Sequence, residues 1–136
     1  MRFELQPRLE GELVELRPLA PRDFAAVYEA ARDPLIWEQH PESDRHTPAV
    51  FQRYFDGAIA SGGAFAILDR RTRRVIGSSR FCNLKPGEVE IGWTFLVRAC
   101  WGGAYNRELK GLMIDHALRF VDRVVFVVGP DNLRSR

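Results

Sequence analysis

Cysteine is scarce, and its placement excludes two chemistries. Cys82 and Cys100 are the only two cysteines in 136 residues. Their separation matches neither a zinc-ligand spacing nor a Cys-x-x-Cys redox pair. Two isolated cysteines fit free thiols in a reducing compartment. Long apolar runs are missing as well. Nothing approaches the ~20 residues that span a bilayer, and Met1-Arg2-Phe3-Glu4-Leu5 has no signal-peptide apolar region. The expectation is a cytoplasmic protein with no membrane partner. Neither sign of charge is in excess, since 20 basic and 18 acidic residues leave a net charge of +2. The densest basic cluster, Arg70, Arg71, Arg73 and Arg74, lies between two apolar runs. It reads as a solvated hairpin turn, so no nucleic-acid partner is expected. There is no internal repeat. A hydrophobic content of 46% over this length fits one domain with one core.

What is present is a change of period along the chain. Glu12 to Leu16 alternates acidic and apolar residues and predicts a half-buried first strand. Pro21-Arg22-Asp23 opens a helix carrying Phe24, Val27, Tyr28 and Ala31 at helical spacing, which Asp33-Pro34 interrupts. Leu35 to His46 reads as irregular. Thr47 is a candidate cap for a second helix, with Val50, Phe51, Tyr54, Phe55 and Ile59 on its apolar face and Gly62-Gly63 at its end.

A strand-rich stretch follows: Ala64 to Leu68, Val75 to Cys82, then Glu88 to Val97 after the turn at Lys85-Pro86-Gly87. The connections are too short for crossovers, so an antiparallel meander is expected. In the third run, Val89, Ile91, Trp93, Phe95 and Val97 alternate with Glu88, Glu90, Gly92, Thr94 and Leu96, predicting two opposed faces. Beyond Gly103 the period becomes helical, with Tyr105, Leu109, Leu112, Met113, His116, Ala117, Phe120 and Val121 in one stripe. A last strand, Val124 to Val128, would lie parallel to the third meander strand.

The passage from strand to long helix runs through Trp101-Gly102-Gly103-Ala104. The first amides of a helix have no intrahelical acceptor, and the peptide dipoles add positive potential there. Small residues let an anion approach those amides, and the expected donors run from Gly103 to Asn106. The segment is not a Walker loop, because Gly-Lys-Ser/Thr is missing. It is not a dinucleotide fingerprint, because the strand before it belongs to a meander. On its own, Gly-Gly before a helix also reads as a plain flexible turn.

The order of elements and three motifs in register resemble the GNAT superfamily of acetyl-CoA-dependent N-acetyltransferases. Glu90-Ile91-Gly92-Trp93-Thr94-Phe95-Leu96 looks like that family's fourth strand. Trp101-Gly102-Gly103-Ala104-Tyr105-Asn106-Arg107-Glu108 looks like its pyrophosphate loop, in the form typical of the branch resembling the ribosomal-protein-alanine/serine N-acetyltransferases. Asn132-Leu133-Arg134-Ser135 is similar to the Asn-x-x-Ser stretch after its fifth strand. The resemblance covers roughly residues 11 to 136. It departs from the family loop, Arg/Gln-x-x-Gly-x-Gly/Ala, where Trp101, Ala104 and Asn106 stand.

The resemblance implies an α/β (α+β) fold, a GNAT-like central mixed sheet with helices on both sides. Family members continue beyond the equivalent of Arg136, so the last helix and strands are expected to be lacking. It implies an acyltransferase that moves an acetyl group from acetyl-CoA, as co-substrate and without a metal, to a primary amine of a protein N-terminus or small molecule. Cofactor contacts would come from Phe95, Leu96, Val97, Gly102, Gly103, Ala104, Tyr105, Asn106, Asn132 and Ser135. Glu90 is the candidate base, although it also reads as a hydrogen-bonded structural glutamate. No general acid is assigned. Trp37, Glu38 and Phe81 are candidates for the amine pocket, and Glu38, Glu42 and Asp44 could attract a cation. His116 reads as a core histidine. The alternatives are a non-catalytic CoA-binding or interaction domain, assembling as a homodimer or otherwise through the sheet edge near Val124 to Val128, or an inactive acetyltransferase fragment.

Overall fold

The structure is a computed structural model that describes residues 3–38 and 42–126. Six strands form one sheet in the order β1 to β6: Leu9–Glu10, Val14–Pro18, Ala64–Asp69, Val75–Lys85, Glu88–Leu96 and Arg123–Phe126. All neighbours pair antiparallel except β5 and β6, which are parallel. The meander and the parallel last strand are as the pattern predicts. Helices α1 (Phe24–Ala31), α2 (Pro34–Trp37) and α3 (Pro48–Ser61) interrupt the chain between β2 and β3, and α4 (Ala104–Ala117) joins β5 to β6.

The sheet separates two apolar clusters. On one face Leu109, Met113 and Ala117 of α4 pack on Val14, Leu16, Phe65, Ile67, Val89 and Ile91. On the other, Val27 of α1 and Phe51, Tyr54 and Phe55 of α3 pack on Ala64, Ala66, Leu68 and Phe95. Each large side chain fully buried in these layers contributes about 1.5–3 kcal/mol. His116 is buried as expected, with its Nε2 2.7 Å from the Glu4 carbonyl.

Four local expectations are corrected. Glu15 is not on a solvated face. It is 4% exposed because β1 and β3 flank it, and Arg8 and Arg73 neutralise it at 3.2 and 3.0 Å. Thr47 does not cap α3 with its side chain; its hydroxyl donates to the Asp44 carbonyl at 2.9 Å. The segment after Asp33 is not irregular throughout, since that side chain accepts from Leu35 N–H at 3.0 Å and starts α2. Helix α4 ends at Ala117 rather than continuing along its stripe to Val121.

Asp23 ties β2 to the start of α1. Its Oδ2 accepts from Arg17 at 2.9 Å and from the Ala20 amide at 2.8 Å. Burial opposes its ionisation, but those two bonds and the Arg17 charge outweigh it and hold its pKa below 3.8. A depressed carboxylate contributes stability above its unfolded pKa and loses it as pH falls through the lower folded value. At pH 7, Asp23→Asn is expected to cost about 1–2 kcal/mol. That gap should close as the pH is taken from about 5 to below 3, read as urea midpoints of both proteins across pH.

Candidate functional site

The site is built on an irregularity in β5. Arg80 pairs with Gly92 and Ser78 with Phe95, so three steps along β5 oppose two along β4. The extra residue makes a bulge at Trp93 and Thr94. Trp93 sits at φ 56°, a left-handed conformation that a bulky residue adopts at a cost. Its surroundings hold it there. The Tyr54 hydroxyl donates to its carbonyl, and the Arg80 guanidinium lies 4.3 Å from its ring centroid.

The bulge shifts the side-chain parity, so the single alternation predicted for this strand is corrected. Val89, Ile91 and Leu96 face the α4 cluster, while Phe95 faces α1 and α3. Trp93 is 48% exposed rather than aligned with Val89 and Ile91. Phe81 is also corrected. It lies in the α4 cluster, 1% exposed, and is no part of a pocket on the α3 side.

Among the described residues the β5–β6 pairing runs from Glu88↔Arg123 to Ile91↔Phe126. Among the described residues no strand lies beside Gly92 to Leu96 on that side. Val97 N–H donates to the Ile76 carbonyl at 2.8 Å, which turns the Leu96 main-chain groups away from β4. The Leu96 carbonyl accepts from Trp101 Nε1 at 2.9 Å, fixing the start of the glycine turn against the strand end.

The turn itself is open. Gly102 has φ 76°, which glycine adopts freely, and nothing lies within 4 Å of a Cβ built on it or on Gly103. Gly102 and Ala104 are exposed, while Gly103, Tyr105 and Asn106 are half-buried. No side chain caps α4, and its first amides have no acceptor among the described residues. Tyr105 points its hydroxyl at Asp69 Oδ2, 3.1 Å away, which gives it a structural partner. Asn132 and Ser135 lie outside the described residues.

Glu90 is half-buried and paired in register with Cys82. Its Oε1 accepts from Asn83 Nδ2 at 2.8 Å, and its Oε2 would lie 3.1 Å from a Cβ at Gly92. The carboxylate therefore leans over Gly92, the last paired residue before the bulge. Burial, then the neighbouring Glu90 charge, raises the Cys82 thiol to about 11, so it is not a nucleophile near neutral pH. No group of three His, Cys, Asp or Glu side chains among the described residues could hold a metal.

Sequence reasoning missed a cation–aromatic group beside the bulge. Arg45 lies 5.2, 5.0 and 5.5 Å from the rings of Trp37, Tyr54 and Trp93. Arg80 lies 5.5 Å from Tyr54 as well as against Trp93. One signal was visible, since Arg80 is the lone charge in the run Val75 to Cys82. Glu108 was also missed, having been read only as part of the loop motif. Its Oε1 accepts from the Leu13 and Val14 amides at 2.8 and 2.9 Å.

Comparison with known proteins gives the class and then the family. A putative acetyltransferase from T. thermophilus superimposes with a TM-score of 0.78 at 27% identity, over 98% of this chain and 73% of that one. A GCN5-related N-acetyltransferase from Brucella melitensis gives 0.73 at 21% identity, over 89% of this chain and 58% of the other. Mycobacterium smegmatis RimJ, in complex with CoA-disulfide, gives 0.68 at 22% identity, over 96% and 70%. The alignment to the Brucella protein thus spans less than two thirds of that protein's length. No curated protein matches. The profile of the acetyltransferase (GNAT) domain matches residues 14–136, and the chain belongs to that family.

Proposed function

We propose that this chain is an acyltransferase that moves an acetyl group from acetyl-CoA to a primary amine. The observation that carries the reading is the start of α4, uncapped and unobstructed among the described residues, beside the stretch of β5 that no described strand pairs on that side. Amides from Gly103 to Asn106 suit a diphosphate. The outward N–H of Leu96 suits an amide-bearing arm, which would lie along β5 as an added strand does, while the Leu96 carbonyl already accepts from Trp101 Nε1. Phe95 and Val97 bracket that position, although the Val97 N–H is engaged with Ile76. Asn132 and Ser135 are proposed as further contacts on the resemblance alone. When bound, acetyl-CoA supplies the activated thioester. The chain supplies position and a proton acceptor.

Glu90 is proposed as the base that removes a proton from the amine, directly or through one water. Its place on β5 beside the bulge, leaning over Gly92, supports that role. A relative named as a ribosomal-protein-S5-alanine acetyltransferase, from Vibrio fischeri, keeps protein N-termini among the acceptors to be tried. The test is calorimetry with acetyl-CoA, followed by release of CoA thiol with a panel of amines. Glu90→Gln is expected to lower kcat by about 10²-fold or more and leave acetyl-CoA affinity unchanged. Binding without amine-dependent thiol release would instead make the chain a non-catalytic CoA-binding domain.

A further inference from the structure

We propose that the acceptor amine carries a carboxylate and that Arg80 recognises it, an inference that rests on the acetyl-transfer reading above. Arg80 is 6% exposed and lies on β4 beneath α3. No carboxylate pairs with it among the described residues. Of the other buried charges, Glu15 is neutralised by Arg8 and Arg73 and Asp23 by Arg17, and Asp69 accepts from the Arg71 amide and the Tyr105 hydroxyl. Arg45, the second cation of the group, is already paired with Glu42 at 3.0 Å. That pairing also removes Glu42 from the acids that could attract a cationic substrate.

A guanidinium has five N–H donors. Arg80 donates from Nη2 to the Tyr54 carbonyl over a long 3.5 Å, and a further polar neighbour is the Tyr54 side chain. Stacking on Trp93 and Tyr54 offsets only part of the cost of burying a cation. Even so, no buried side-chain nitrogen among the described residues is left without a partner. The remaining Arg80 donors therefore keep some exposure although the residue is buried. A planar fork with donors left over fits a carboxylate.

The register says where such a ligand would lie. Cys82 pairs with Glu90 and Arg80 with Gly92, so Arg80 and Glu90 share one face as diagonal cross-strand neighbours. Such neighbours are about 7–8 Å apart along the sheet. An amine directed to Glu90 can place a carboxylate, a few bonds away, on Arg80. Trp93, made prominent by the bulge, covers the guanidinium from the other side.

The probes are the N-acetyl acids of glycine, β-alanine, 4-aminobutyrate and 5-aminopentanoate, each matched with its N-acetyl amide. They are titrated calorimetrically into the full chain with saturating CoA. At least one acid is expected to bind 10-fold or more tighter than its amide. Arg80→Met should bring that pair within twofold, and Arg80→Lys should keep part of the preference. Equal affinities in every pair, no binding by any acid, or a preference unchanged in Arg80→Met would each overturn the proposal. If Arg80→Met does not fold, the wild-type comparison and Arg80→Lys decide. Turnover of the free amines separates the two readings. Thiol release with no acid preference sinks the Arg80 assignment alone. Acid preference without thiol release from any amine sinks the transferase reading, and with it the acceptor assignment, and leaves Arg80 as a carboxylate-binding residue only.

Discussion

Gly103→Glu is expected to weaken acetyl-CoA binding by roughly 100-fold while barely changing stability. The two effects come from the same place. Gly103 precedes the first residue of α4, and no side chain caps that helix. A carboxylate there would take the free amides that an anionic ligand needs. At about 5 Å and an effective dielectric of about 20, two unit charges repel by about 3 kcal/mol, equivalent to roughly 100-fold in affinity. For the folded chain the change is benign. Nothing lies within 4 Å of a Cβ at Gly103, and its φ of −171° suits any residue. An acid near a helix N-terminus even stabilises by about 0.3–1 kcal/mol. Calorimetric titration and a melting curve on one sample read both. Undiminished affinity would remove the assignment of this turn, and a collapsed melting curve would remove the claim that it is open.

Glu108→Ala should have the opposite character, a large loss of stability from a residue that looks like part of the loop motif. The carboxylate reaches from α4 to two amides at the start of β2. Val14 is fully buried, so its amide has no ready water. Charge-assisted bonds of this kind contribute about 1.5–3 kcal/mol, and an orphaned buried donor costs about 1–3. The expected loss is about 2–4 kcal/mol, seen as a lower urea midpoint at unchanged slope. Gly11→Ala tests the same contact from its other side. A Cβ there would lie 2.1 Å from Glu108 Oε1, so the carboxylate must leave or the turn must open. A small effect from both variants would mean that water replaces the carboxylate without cost.

The readable parts of this chain are those governed by near neighbours in sequence. Helical spacing located α1, α3 and α4, and short apolar runs between turns, the third with period two, located the meander, because these patterns follow from local backbone geometry. The arginine-rich turn between β3 and β4 is exposed as expected. The glycine turn was legible for the same reason, since small residues directly before a helical period need no partner to be recognised. Strand β1 was not legible, because two residues carry no period and are ordered only by pairing with β2.

Sequence alone determined which stretches bury a face, in what order they come, and that a bare helix start follows the third meander strand. Only the tertiary structure decided which face each residue takes. One extra residue in β5 relative to β4 reverses the parity from Trp93 onward, and a bulge is a property of two paired strands. Arg80, Tyr54 and Trp93 come from three elements, and the Glu108 contact joins residues more than 90 positions apart. Such contacts depend on how the layers close over one another, and no local pattern records that.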